Sequence, residues 1–209
     1  MAKKEVALQT LAQYLPEGAY EFVAPYFKQY TIHLILTLER KTVLGNYRAP
    51  THHHPFHRIT VNSNLNPYSF LITLLHELAH MLTYLQYRHQ VAPHGKEWKQ
   101  HFKQILLPYI EKQFFPQDVT TALLNYVKSP TASTCTDIHL QRALMQYDKK
   151  SANEILVEDL EIGDFFSIDE GRIFEKIEQR RTRAKCRELQ TQRLYLFPGV
   201  YIVKKHNTA

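Results

Sequence analysis

The sequence predicts an α+β chain, in which a domain with a small antiparallel sheet and one long buried helix is followed by a small C-terminal β module. Three observations carry this. Strand-like alternation over residues 31–38 and 57–62 precedes an apolar run at helical spacing from Phe70 to Leu85. The hydrophobic period returns to two over residues 164–203. Charge is uneven too: residues 171–209 hold 10 Lys and Arg against 3 Glu, whereas residues 1–170 hold 16 basic and 17 acidic side chains.

A chain of 209 residues with 44% hydrophobic and 22% charged residues buries an ordinary globular core. No stretch approaches the roughly 18 apolar residues of a membrane helix. The basic start, Met1-Ala2-Lys3-Lys4-Glu5, is not followed by the apolar segment of a secretion signal. A cytoplasmic protein is expected. Cys135 and Cys186 are too few for a disulfide framework or a four-cysteine zinc site, so both are expected as free thiols.

From Lys4 to Tyr30 the apolar spacing predicts two short helices, broken at Leu15-Pro16-Glu17-Gly18. Residues 31–38 then form a strand, and Lys41 to Tyr47 continues strand-like, with Gly45 permitting a bulge or a close backbone approach. The loop Thr51-His52-His53-His54-Pro55-Phe56 leads into the strand 57–62. Consecutive histidines do not converge easily on one ion, so the loop is read as solvated. Asn66 is a helix N-cap and Pro67 the first helical residue of a helix reaching about Tyr87. After a polar loop, Trp98, Phe102, Ile105 and Leu106 mark a second amphipathic helix from about Gly95. Gln117 to Val127 is helical, Ser129 to Thr134 has linker composition, and a short helix covers Asp137 to Tyr147. The expected division is a domain over residues 1–130, a linker with a short helix over 131–155 and a basic β module over 156–209.

The chemistry concentrates in His76-Glu77-Leu78-Ala79-His80. Residues four apart on a helix share a face, so the two imidazoles can reach one Zn²⁺ at about 2.0–2.1 Å. Glu77 lies about 100° around the helix, placed to take a proton from water activated by the ion rather than to bind the ion. Burying three such polar groups in an apolar helix is costly without a partner. Zinc needs a third protein ligand and an open position. His89, His94 and His101 come next, and His94 is preferred because it sits in the loop beside Gly95. His101 is a candidate neighbour of the ligands, as is Thr73, one turn before His76. Tyr47, Tyr84 and Arg58 are candidate donors to a developing oxyanion.

His76-Glu-Leu-Ala-His80 followed by His94-Gly95-Lys-Glu-Trp98 resembles the SprT/Spartan family, whose HExxH is followed by His-Gly and an aromatic three positions after the Gly. Arg40 to Tyr47 and Ile59 to Asn62 look like that family's two strand motifs upstream of the active-site helix. The resemblance covers roughly residues 1 to 110. It implies a zincin-like metalloprotease domain holding one Zn²⁺ on His76, His80 and His94, with Glu77 as catalytic base. It further implies protein or peptide substrates, among them proteins crosslinked to DNA, and hence nucleoid association. Many members carry a four-cysteine zinc ribbon after the protease domain. Here the 156–209 module occupies that position without the cysteines.

In residues 182–188 the alternation puts Arg183, Lys185 and Arg187 on one strand face and Ala184 and Cys186 on the other. With Arg180 and Arg181 these cations suit a polyanion such as DNA; the same pattern fits a solvated strand face. Phe165, Phe174 and Tyr195 are assigned to the small core of the module rather than to stacking on bases. Two further functions stay open: a nucleic-acid-binding protein whose zinc site is structural or vestigial, and a metal-dependent hydrolase of bonds other than peptides.

Overall fold

The computed structural model describes residues 4–5, 8–38, 43–128, 137–149, 154–168 and 171–206. They fall into two compact units, Met1–Asp148 and Lys149–Ala209. Cys135, the Ser129–Thr134 segment and residues 39–42 of the first strand motif lie outside the described residues.

The first unit opens with strand β1 (Lys4–Glu5) and a 3-10 helix (Leu8–Tyr14), then α1 (Tyr20–Gln29), β2 (Ile32–Thr37), β3 (Gly45–Arg48) and β4 (His57–Asn62). Helices α2 (Pro67–Tyr87), α3 (Lys96–Glu111), α4 (Gln117–Tyr126) and α5 (Ile138–Met145) follow. The expected break is present, with Gly18 at φ +76°, a conformation that favours glycine. Lys4 and Glu5 depart from expectation, pairing with Leu36 and Ile35 of β2 instead of starting a helix.

The sheet corrects the antiparallel expectation. Its order is β1-β2-β4-β3, and its central pair, β2 and β4, is parallel from Ile32↔His57 to Thr37↔Asn62. Alternation fixes which face of a strand is buried but says nothing of strand direction. Here β4 inserts between β2 and β3, so that Leu34 pairs with Ile59 and Leu36 with Val61, and all four are buried. That leaves β3 at the sheet edge, antiparallel to β4 from Gly45↔Val61 to Arg48↔Arg58.

Helix α2 is the spine of this unit. Phe70, Leu71, Leu74, Leu75, Leu78, Ala79 and Met81 are all fully buried. Its start is fixed by Asn66, whose side-chain oxygen accepts from the amides of Tyr68 (3.1 Å) and Ser69 (2.9 Å). The same side chain donates to the Leu144 carbonyl at 3.0 Å and the Asp148 carboxylate at 2.6 Å. The end of α5 is thereby tied to the start of α2. Helix α5, expected within a linker, contributes Leu140, Ala143 and Leu144 to the core of the first unit.

The second unit contains β5 (Glu154–Leu156), a 3-10 turn (Val157–Asp159), β6 (Phe165–Ser167), β7 (Ile173–Gln179), β8 (Arg183–Glu188), β9 (Leu194–Pro198) and β10 (Ile202–His206). The strands form one sheet in the order β5-β10-β6-β7-β8-β9. One face buries Phe166, Phe174, Ala184, Cys186 and Val203 against Val157 and Leu160. Tyr195 joins this cluster beside Phe174, with ring centroids 5.4 Å apart. Phe165 does not: it pairs with Glu175 on the opposite face, because its neighbour Phe166 takes the inward position.

A buried lysine organises the turn over this core. Lys176 is only 2% exposed. Its ammonium donates to the carbonyls of Val157 (3.0 Å), Glu158 (3.2 Å) and Leu160 (2.6 Å). Burial lowers its pKa from the usual lysine value. Cys186, opposite it in register, is a free thiol whose pKa burial pushes up to about 11.

Candidate metal centre

Helix α2 presents His76 and His80 one turn apart, and the turn before α3 supplies His94. Their Nε2 atoms form a nearly equilateral triangle: 3.2 Å for His76–His80, 3.2 Å for His76–His94 and 3.0 Å for His80–His94. A neutral imidazole nitrogen either donates one hydrogen or accepts on one lone pair, so three in mutual contact cannot all be hydrogen-bonded. Three lone pairs aimed at one cation resolve that conflict. Tetrahedral zinc with nitrogen ligands at about 2.0–2.1 Å places those nitrogens about 3.3 Å apart, close to the spacing seen. Among the described residues this is the group of histidines, cysteines and carboxylates that can hold a metal ion.

The electrostatics suit ligation. Burial first, then His80 and His94, holds His76 down at about 3. Burial and the nearby His94 lower His80 to about 4. His94 is lowered by burial and by Lys99. All three rings are therefore neutral at pH 7, with lone pairs free to bind a metal. His94 pays for its place in backbone strain, with φ +98°. Gly95 follows in extended conformation and caps α3.

Trp98 backs the whole cluster. Its ring centroid lies 4.6 Å from that of His76, 5.3 Å from His80 and 4.7 Å from His94. It stacks on Phe102 at 5.1 Å and 7°. The indole is fully buried and its N–H has no hydrogen-bond partner among the described residues, so ring packing fixes it.

Glu77 is buried at 6% exposure. Strand β3 lies directly against it: a Cβ on Gly45 would sit 2.6 Å from Glu77 Oε1 and 2.7 Å from Thr73 Cγ2. The glycine is therefore a close backbone approach that leaves room for the carboxylate. Thr73 borders this contact.

Register places the remaining candidates. Residues paired across strands share a face, so Gly45, Tyr47, Ile59 and Val61 look towards α2, while Arg48 and Arg58 occupy the other face. Arg58 is thereby removed from the site. The Tyr47 hydroxyl is 2.9 Å from His57 Nδ1, and its ring meets Tyr84 with centroids 6.3 Å apart. Burial raises the pKa of Tyr47 and lowers that of His57. His101 is bound to Thr83 and Gln86, each at 3.0 Å, and pins α2 to α3 rather than joining the cluster. His89 contacts Tyr84, and His52, His53 and His54 are exposed. The Tyr47–His57 pair was not signalled by the sequence, since ten residues and an irregular loop separate its members.

On the second unit, Arg183, Lys185 and Arg187 do share the face opposite Ala184 and Cys186. Carboxylates from β7 interleave with them. Glu175 opposes Arg187 at 3.7 Å, Glu178 opposes Lys185 in register, and Glu178 also holds Arg180 at 3.1 Å. Arg181 and Arg183 are exposed at the tip of the β7–β8 hairpin. No helix among the described residues is long and apolar enough to cross a membrane.

Comparison with known proteins agrees with this geometry. The chain is similar to Protein SprT of Glaesserella parasuis serovar 5 (strain SH0165), 61% identical over 31 residues, which is 15% of this chain and 19% of that protein. The match thus spans about a fifth of the relative's length. No solved structure matches. A family model described as the SprT-like family matches residues 19–120, which include β2, β3, β4, all three histidines, Glu77 and Trp98. Over that segment, just under half of its length, the chain is similar to the SprT-like family.

Proposed function

We propose that the chain is a zinc-dependent endopeptidase with a zincin-like catalytic domain. The observation that carries this reading is the Nε2 triangle of His76, His80 and His94 beside the buried carboxylate of Glu77. Zinc, when bound there, polarises a carbonyl and lowers the pKa of water towards about 7. His76, His80 and His94 would hold the ion. Glu77 lies outside the ligand set and accepts the proton of the attacking water, then passes it to the leaving amine. Gly45 keeps room for that carboxylate. The edge strand β3 offers backbone groups along which an extended substrate can pair.

Proteins bound or crosslinked to DNA are the proposed substrate class, and DNA the proposed second partner. The support is the similarity of residues 19–120 to the SprT-like family together with the cations of the β7–β8 hairpin, of which Arg180, Arg181 and Arg183 are exposed and Lys185 and Arg187 half-buried. Glu175 and Glu178 temper that charge, so the contact is expected to be weak and dependent on salt. The test is cleavage of a DNA-bound protein by wild type and Glu77→Gln, with and without single-stranded DNA. Proteolysis should fall by about 10²–10⁴-fold in the variant while zinc is retained. Wild-type cleavage by Glu77→Gln would contradict the mechanism, and DNA without effect would remove the DNA role.

A further inference from the structure

The proposed peptidase reading leaves one group beside the site unused. Arg88 caps the C-terminus of α2 with φ 55°, and its guanidinium carbon stands 5.0 Å over the ring of Tyr84. Its charge acts on both Tyr47 and His57, so it lies at the same end of β3 as that pair. Arg88 itself is exposed, and no carboxylate among the described residues pairs with it.

The location matters because of what β3 does. Gly45 abuts Glu77, and Tyr47 is two residues further on the same strand face, about 7 Å along at strand rise. A polypeptide laid along the edge of β3 that no other described strand pairs with, its reacting bond at Glu77, therefore brings a nearby side chain to Tyr47, Tyr84 and Arg88. The floor it meets is aromatic and uncharged, with one cation above. Tyr47 is held by its hydrogen bond to His57, so the floor is rigid.

The geometry points to Arg88 as a specificity determinant that selects an acidic residue, Asp or Glu, at one position within about two residues of the cleaved bond. This rests on the peptidase reading for the placement of the substrate. A nucleic-acid strand is the poorer occupant, since a phosphate backbone needs a run of cations and the nearest strand cations, Arg48 and Arg58, face away from α2. A single guanidinium over a tyrosine suits one carboxylate.

The test is binding, so that it does not depend on cleavage. The zinc-loaded full chain carrying Glu77→Gln is titrated with fluorescein-labelled decapeptides that differ only by Glu, Gln or Lys at each position in turn, read by anisotropy. The expected result is one position at which Glu binds about threefold to fivefold tighter than Gln and Lys binds weaker, the effect of a half-exposed ion pair. Adding Arg88→Glu should invert that order, with an unchanged melting temperature because the side chain is exposed. Equal affinities at every position, an order unaltered by Arg88→Glu, or no binding of any peptide would overturn the proposal. So would a single-stranded oligonucleotide whose binding requires Arg88. Cleavage by the wild type is scored separately: cutting without charge preference sinks only this inference, while Arg88-dependent binding without cutting sinks only the peptidase reading.

Discussion

The two units use polar side chains inside apolar surroundings in opposite ways. In the first, three histidines converge on a single point and oppose one another, with Nε2 atoms 3.0–3.2 Å apart and pKa values driven down. In the second, Lys176 is more deeply buried than any of the three but finds three carbonyl acceptors, and Glu188 accepts from Thr191 and from Tyr195. A polar cluster that satisfies itself is architecture. One that cannot satisfy itself without a cation is a binding site.

Perturbing each unit should separate these roles. The largest effect is expected at Gly45→Val. A side chain there displaces the Glu77 carboxylate, and a misplacement of that size should lower proteolysis by about 10²-fold with zinc content unchanged. Lost zinc would mean that β3 supports the ligands rather than the base. Next comes Lys176→Met, which leaves three buried carbonyls without their donor and should cost the second unit about 2–3 kcal/mol, read by denaturant unfolding, with the histidine site intact. Asn66→Ala removes both the α2 cap and the link to α5, and should cost the first unit about 1–2 kcal/mol. The smallest effect belongs to the hairpin cations. Arg183→Ala should reduce the salt dependence of DNA binding by about one phosphate contact, whereas Arg187→Ala, already paired with Glu175, should change it little. Equal effects would mean that the interleaved carboxylates do not matter.

The comparison also explains what was legible in the sequence. The α+β class, helix α2, its Asn66 cap and the His76–Glu77–His80 placement follow from local spacing, because a helix fixes the geometry of residues four apart. His94 was within reach because it directly precedes Gly95, the N-cap of α3. What depends on pairing between distant strands was not legible. The parallel β2–β4 pair, the exclusion of Arg58 from the α2 face, the Tyr47–His57 contact and the neutralisation of Arg187 by Glu175 all require the register of a neighbouring strand. Alternation within β8 gave the basic face correctly but could not show that β7 would lay carboxylates across it. Gly45 lies between these cases: its freedom from side chain marked a close approach, and only the fold named Glu77 as the group approached.

The most direct test of the central claim is the zinc content of purified wild type, Glu77→Gln and His94→Ala, followed in parallel by the fluorescence of Trp98, the one tryptophan in the chain and a neighbour of all three histidines. One zinc per chain in wild type and Glu77→Gln, a fluorescence change on chelation in both, and loss of both signals in His94→Ala are the predicted results. Wild type without zinc, or His94→Ala with full occupancy, would contradict the three-histidine site.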